Sequence, residues 1–424
     1  MMLDLPYGAG ALTAEIPEQQ LACVLRGKLE TYRPAKTPEE LIRTAMENPV
    51  ASPRLHELAR GKRNIVIIAS DHTRAVPSRL LLPPMLEELH RGAPDAKITV
   101  LIATGCHRAS TQEELRRKFS DELYEKLHIV VHDCKNSPVT DLGTLPSGAP
   151  LRIHSVAAQA DLLIAEGFIE PHFFAGYSGG RKSVLPGICS YETVFANHSS
   201  ALIADKNAHS GELRCNPIHR DMAEAAKRAK LAFILNVVCN SSKEVIGAFA
   251  GDAELAHKAG IDFLQNLCLA QVSEAAGIVL TTNNGHPLDQ NLYQAVKSMC
   301  TAEAVCKPGG VIITACACTD GIGGESFYKA FTSGKPASAV LQDILAVPMM
   351  RTKQDQWQAQ ILARILAKHK VILISELPDE TVLPMGILPA HSVQQALDLA
   401  RELVGPERII VIPDGVGVIA KVSE

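Results

Sequence analysis

NIVIIASDHTRAVPSRLLLPPMLEELHRGAPDAKITVLIAT, residues 64–104, holds two apolar runs separated by an amphipathic stretch. NIVIIAS (64–70) and AKITVLIAT (96–104) are short, rich in β-branched residues and apolar at nearly every position, the pattern of strands buried on both faces. Between them SRLLLPPMLEELHR (78–91) spaces its leucines as a helix does, with two prolines expected to interrupt it. Strand, helix and strand make a βαβ unit, whose strands are parallel.

The alternation runs through the rest of the chain. TQEELRRKFSDELYEKL (111–127) reads as one helix, HIVVHD (128–133) and DLLIAEGFI (161–169) as strands. HRDMAEAAKRAKL (219–231) reads as helix, AFILNVVCN (232–240) as strand and DAELAHKAGIDFLQNLCLAQV (252–272) as helix. The pattern then restarts with AGIVLTT (276–282), DQNLYQAVKSMCTAEAV (289–305) and GGVIITACA (309–317), and later with KVILISE (370–376) and RIIVIPDG (408–415). A chain of 424 residues exceeds one ordinary core. The expected fold class is therefore α/β, with two Rossmann-like domains, 1–270 and 276–424, and a site in the cleft between them. The last segment is left free to pack back on the first domain.

Composition narrows the function. Aromatics are 4% of residues, with one tryptophan, too few for base-stacking platforms, and the net charge of −4 argues against a nucleic-acid or anionic-membrane surface. No apolar run approaches the length of a membrane span, and the first twenty residues lack the basic start and apolar core of a secretory signal. The eleven cysteines include no C-x-x-C pair, the tightest grouping being Cys316 and Cys318. A cytoplasmic protein with mostly core cysteines is expected.

Three polar loops follow predicted strands: SDHTRAVP (70–77), ATGCHRAST (103–111) and EPHFFAGYSGGRKSVLPGICSYETVFANHS (170–199). Parallel strands put all three on one sheet edge, where ligands gather in open α/β sheets. GYSGGRKS (176–183) resembles a phosphate loop, but Arg181 stands where that motif needs its second glycine, so a kinase or ATPase reading fails. GIGGES (321–326) misses the dinucleotide fingerprint at Ser326, and IIASDHTRAVP lacks the glycine-rich first turn of a nicotinamide enzyme. Neither H-x-x-x-H nor H-E-x-x-H occurs, which disfavours a zinc hydrolase. What stays is a lysine with a glycine-rich approach, Lys182, and the histidines His107, His172 and His198. Two imidazoles suit two-sided proton transfer, and the third could bind a metal through neutral nitrogen.

The ordered set SDHTRAVP, ATGCHR, EPHFFAGYSGGRKSVLPG, FANHS, NLYQAVKSM (291–299) and DQWQAQ (355–360) resembles the nickel-pincer lactate racemase family, which racemises or epimerises 2-hydroxy acids. The resemblance implies nickel pyridinium-3,5-bisthiocarboxylate mononucleotide, made by separate maturation enzymes and attached to Lys182 through a thioamide. It implies that His198 is the protein ligand to nickel, that Asp71, His72, Thr73 and Arg74 lie at the cofactor, and that His107 and His172 are the acid and base. It assigns Tyr293, Gln294, Lys297 and Trp357 to the substrate, with Lys297 and Arg74 toward its carboxylate. Lactate or another short or medium 2-hydroxy acid ranks first as substrate. An aldonic acid such as gluconate, epimerised at C2, ranks second. A non-catalytic hydroxy-acid sensor is the rival from another class, disfavoured because a mere binder needs no covalent anchor.

Overall fold

The computed structural model describes residues 1–423, which pack as two compact units. The first comprises Leu29–His198 and Asp205–Leu267; the second comprises Met1–Lys28, Ser199–Ala204 and the chain from Cys268 onward.

The first unit is built on β1 (Asn64–Ser70), β2 (Lys97–Ala103), β3 (His128–Val131), β4 (Leu162–Phe168), β5 (Leu231–Cys239) and β6 (Val245–Gly251), in spatial order β6-β5-β4-β1-β2-β3. Neighbours are parallel except β5 and β6. Read from β1, the chain moves outward through β2 and β3, then returns to the other side of β1 for β4 and β5. The order therefore reverses between β1 and β4, and such a reversal opens a crevice beyond the strand ends. The register fixes the edge: Ser70 pairs with Ala103 and Ile68 with Ala165, so the loops after β1, β2 and β4 leave the sheet on the same side.

Helix α1 (Ser78–Gly92) runs uninterrupted through Pro83 and Pro84, contrary to the expected break. Its prolines remove N–H donors, but Leu81, Leu82, Met85 and Leu89 are fully buried against Ile65, Ile67 and Val100. Each such side chain contributes about 1.5–3 kcal/mol, enough to hold a helix with two missing bonds. The single helix expected over 111–127 is instead two, α2 (Gln112–Phe119) and Asp121–Lys126, broken at Ser120, whose φ is +74° and whose hydroxyl caps the second. Tyr191–Asn197 (α3) and Pro217–Arg228 (α4) complete the elements used below.

In the second unit β7 (Ala276–Thr282), β8 (Cys306–Ala315), β9 (Lys370–Ile374), β10 (Leu388–Ala390) and β11 (Ile409–Ile412) form a wholly parallel sheet, ordered β10-β9-β8-β7-β11 and completed by the strand Leu21–Val24 on β11. That pairing draws residues 1–28 into the second unit, which a linear division at 270–276 had placed in the first. Likewise Leu269–Val272 leaves the expected helix, which ends at Cys268, and pairs with Ile419–Val422. The C-terminal strand thus stays with its own unit. Helices α5 (Leu292–Glu303) and α6 (Gln356–Lys368) flank this sheet.

Candidate active site

After β1 the chain turns through Asp71, whose carboxylate is buried and fully used. Oδ1 accepts the Thr73 hydroxyl (2.7 Å) and amide (3.1 Å), and Oδ2 faces His107 Nδ1 at 2.8 Å. Burial alone would raise the Asp71 pKa, but the hydrogen bonds from His107 and Thr73 and the charge of Arg74 hold it below the usual carboxylate value. An ionised partner on Nδ1 fixes the His107 proton there and leaves Nε2 as the lone-pair nitrogen. His107 is about half exposed, so the β1 and β2 loops present an oriented imidazole to solvent.

Beneath this pair lies a polar bundle that the sequence reading missed. Glu166, buried in the middle of β4, accepts from the Ser70 amide (3.0 Å), the Ser70 hydroxyl (3.3 Å) and the Ser78 hydroxyl (3.0 Å). It ties β4 to the end of β1 and the start of α1, which fixes both ends of the Asp71–Pro77 loop. Burial raises its pKa. A carboxylate inside LLIAEGF was the available signal, since charges are rarely buried unless they are used.

Arg74 acts on the Asp71 carboxylate through its charge, while the His72 ring bonds elsewhere. His72 Nδ1 bonds the Ser110 hydroxyl at 2.9 Å. His72 and Arg74 line a cavity of about 490 Å³ shared with Arg79, Glu114, Arg117, Lys118 and Lys243. Lys118 Nζ donates to the Ser70 hydroxyl (2.9 Å) and more weakly to the Arg74 carbonyl (3.4 Å), and burial lowers its pKa. Five cationic side chains and one carboxylate line it, a charge balance that would suit an anionic group.

The loop after β4 carries the second cluster. Pro171–His172 and Gly176–Tyr177 form a short antiparallel hairpin, and at its tip Phe174 lies among three of the expected residues. Its ring meets His172 edge-on at 4.5 Å and His198 edge-on at 5.1 Å, with Lys182 Nζ 5.8 Å from its centroid. The structure thus brings His172, Lys182 and His198 together around an aromatic side chain that no local motif singled out. His172 Nδ1 accepts the Ala175 amide at 3.2 Å. The loop after β2 joins this region through the Gly105 amide, which donates to the Gly187 carbonyl at 2.9 Å.

His198 ends α3 and is buried, its Nδ1 3.0 Å from the Val194 carbonyl. Burial, with the charge of Lys182, pushes its pKa down to about 3, so the ring is neutral. A backbone carbonyl on Nδ1 directs the lone pair to Nε2, the arrangement usual for a metal-ligating histidine. Among the described residues no group of three or more His, Cys, Asp and Glu is disposed to hold a metal ion. A single neutral imidazole is a donor set that would suit a metal whose other ligands arrive on an organic cofactor.

In the second unit Gln294 and Lys297 are one turn apart on α5, both half-buried. Tyr293 OH accepts the Trp357 indole N–H at 3.1 Å, and Gln358 bonds the Tyr293 carbonyl. Burial and the nearby Asp355 raise the Tyr293 pKa, so the phenol stays protonated. The glycine-rich turn GIGGES serves α5: the carbonyls of Gly321 and Ile322 accept the amides of Leu292 and Tyr293. A Cβ on Gly323, whose φ is +84°, would come within 2.5 Å of Asn291, the residue that caps α5.

Known proteins resemble this chain over almost its whole length. A model described as lactate racemase N-terminal domain matches residues 7–211, and one described as lactate racemase C-terminal domain matches 271–420. A lactate racemase of Thermoanaerobacterium thermosaccharolyticum is 49% identical and one of Lactiplantibacillus plantarum 47% identical, each over 99% of both chains. The structure of the Thermoanaerobacterium lactate racemase apoprotein superposes with a TM-score of 0.96 at 48% identity, covering 99% of this chain and all of that one. A Thermotoga maritima protein, at 17% identity and a TM-score of 0.63 over 91% of this chain and 97% of its own, shares the fold. With family matches over both halves and near-half identity over almost the whole length, the chain belongs to the lactate racemase family.

Proposed function

We propose that this protein racemises lactate, with His107 and His172 as the paired acid and base, Lys182 as the cofactor anchor and His198 as the nickel ligand. The carrying observation is the grouping of a buried, neutral His198 with Lys182 and His172 around Phe174. When bound, nickel pyridinium-3,5-bisthiocarboxylate mononucleotide supplies the acceptor for the hydrogen that leaves Cα as hydride.

The chain's own residues do the rest. His107, oriented by Asp71, takes the hydroxyl proton of one enantiomer at Nε2, and the proton that completes the other enantiomer comes from His172 when hydride returns to the opposite face of the bound 2-oxo acid. His172, whose Nδ1 accepts the Ala175 amide and whose Nε2 therefore carries the proton, serves as the proton donor on the other face. The two histidines exchange roles when the opposite enantiomer is the substrate, since a stereocentre approached from two faces needs an acid or base at each. Arg74 and Lys297 are assigned to the substrate carboxylate, Gln294, Tyr293 and Trp357 to the remaining contacts. Asp71 and Thr73 belong to the cofactor side. The cationic cavity beside His72 and Arg74 suits the nucleotide phosphate. The reversed strand order supports reading the first unit as Rossmann-like, and the parallel sheet of the second unit supports the same reading there. A cytoplasmic setting and dependence on separate maturation enzymes belong to the proposal; the eleven cysteines, all free thiols, support a reducing compartment.

Protein co-produced with the maturation enzymes tests it. We expect a cofactor mass on the tryptic peptide containing Lys182, about one nickel per chain, and loss of optical purity from either enantiomer of lactate. An unmodified Lys182 peptide without nickel under those conditions sinks the assignment. Turnover of gluconate but not lactate would replace the substrate and keep the chemistry.

A further inference from the structure

Arg181 occupies the place where a phosphate loop carries glycine, and its side chain is 4% exposed. Among the described residues it has no carboxylate partner; its contacts are neutral. Nη2 donates to the Ala175 carbonyl at 2.8 Å and Nη1 to the Gly179 carbonyl at 3.4 Å, with His257 Nε2 3.3 Å away. His257 Nε2 is itself 2.8 Å from the Ser178 carbonyl, so that ring donates to the loop. Burial, with the Arg181 charge, holds the His257 pKa down to about 3 and keeps it neutral. The backbone beneath is pressed close. A Cβ on Gly179 would come within 2.8 Å of the Asn236 side chain and the Phe168 carbonyl, and one on Gly180 within 2.6 Å of the His257 ring. The Gly180 amide donates to Asn236 Oδ1 at 2.7 Å.

The carbonyls gripped by Arg181 belong to the two limbs of one loop. Ala175 is also the residue whose amide bonds His172 Nδ1, so a single peptide residue links the guanidinium to that imidazole. Gly179 accepts the Lys182 amide at 3.1 Å, which links the guanidinium to the turn that carries Lys182. We propose that Arg181 is the positioning residue of this loop, clamping the Ala175 and Gly179 carbonyls so that His172 and Lys182 are presented together. The role rests on the reading of His172 and Lys182 given above.

The clamp explains why a charge is buried here at all. An unpaired buried cation is expensive, and replacing it by an apolar side chain of similar length is often neutral or stabilising. A lysine carries one point donor site and cannot span both carbonyls as the planar fork does. If Arg181 merely filled space, Arg181→Met would match or exceed the native protein in stability and change nothing in the loop.

Hydrogen exchange on the apoprotein, followed by kinetics on matured protein, separates these cases in Arg181→Met and Arg181→Lys. We expect amides between residues 172 and 183 to exchange at least tenfold faster in Arg181→Met and to an intermediate degree in Arg181→Lys, with β5 and α4 unchanged. Among cofactor-loaded molecules kcat should fall at least tenfold while KM for lactate stays within twofold, with partial rescue by lysine. Native exchange and native kcat in Arg181→Met overturn the proposal. If Arg181→Met loses protection everywhere, Arg181→Lys decides: a change confined to 172–183 supports the clamp, and general unfolding or native behaviour overturns it. A Lys182→Ala protein that still racemises lactate would sink the functional reading instead and leave the exchange result standing.

Discussion

Asp71→Asn is the sharpest probe of the first cluster because the structure dictates how the amide must turn. Asp71 Oδ1 receives two donors, the Thr73 hydroxyl at 2.7 Å and the Thr73 amide at 3.1 Å. Asparagine must therefore keep its oxygen at that position and point its NH2 to where Oδ2 now faces His107 Nδ1 at 2.8 Å. A donor there forces Nδ1 to be the lone-pair nitrogen and moves the His107 proton to Nε2, the atom proposed above as the base. Recovering the productive tautomer means giving up a hydrogen bond and losing the ionised partner, each worth about 1.5–3 kcal/mol. Together with the usual contribution of a positioned base, this predicts a fall in kcat of roughly 10²–10⁴. KM for lactate, the cofactor mass on Lys182 and the nickel content should hardly move, because Asn is isosteric and the loop keeps its Thr73 bonds. Chiral chromatography of matured protein supplied with either enantiomer gives kcat and KM. A kcat within threefold of the native value, with full cofactor loading, would refute the role of the Asp71–His107 pair.

Other consequences are open to measurement. The apoprotein should weaken in acid: His257 and His132 are buried with folded pKa values pushed down to about 3 and about 4. The unfolded chain binds more protons below about 6.5, so stability falls as pH drops, by roughly 2 kcal/mol for each of the two at pH 5. Urea midpoints that are flat between pH 7 and 5 would contradict this. Lys118→Met should weaken apoprotein binding of nicotinic acid mononucleotide roughly tenfold or more, with less effect on the unphosphorylated riboside, because a charge-assisted bond is lost at the cationic cavity. Equal weakening of both ligands by calorimetry would remove the phosphate from that cavity. Trp357→Phe deletes the N–H bonded to Tyr293 OH and should reduce thermal stability by about 0.5–1.5 kcal/mol. An unchanged melting temperature would show that bond to be idle.

Much of the first unit could be read directly. NIVIIAS, AKITVLIAT and DLLIAEGFI are strands within a residue or two of expectation, because runs apolar on both faces have one stable destination, the middle of a parallel sheet. Motif order likewise carried the reaction class. Local pattern misled where a distant partner or burial overrode it: at Pro83 and Pro84, kept helical by the core they face, and at Leu269–Val272, drawn into a strand by Ile419–Val422.

By itself the sequence determined the α/β alternation, the three polar loops on one sheet edge and the residue types that define the family. These depend on side-chain periodicity and on chemistry carried within single short segments. Only the tertiary structure decided that residues 1–28 complete the second sheet, that Phe174 gathers His172, Lys182 and His198, that Glu166 braces the Asp71 loop, and that Arg181 clamps its neighbours' carbonyls. Each of these is a pairing between groups whose neighbours in space are set by strand order and packing, and no local pattern encodes which distant group will fill a given hydrogen bond or cavity.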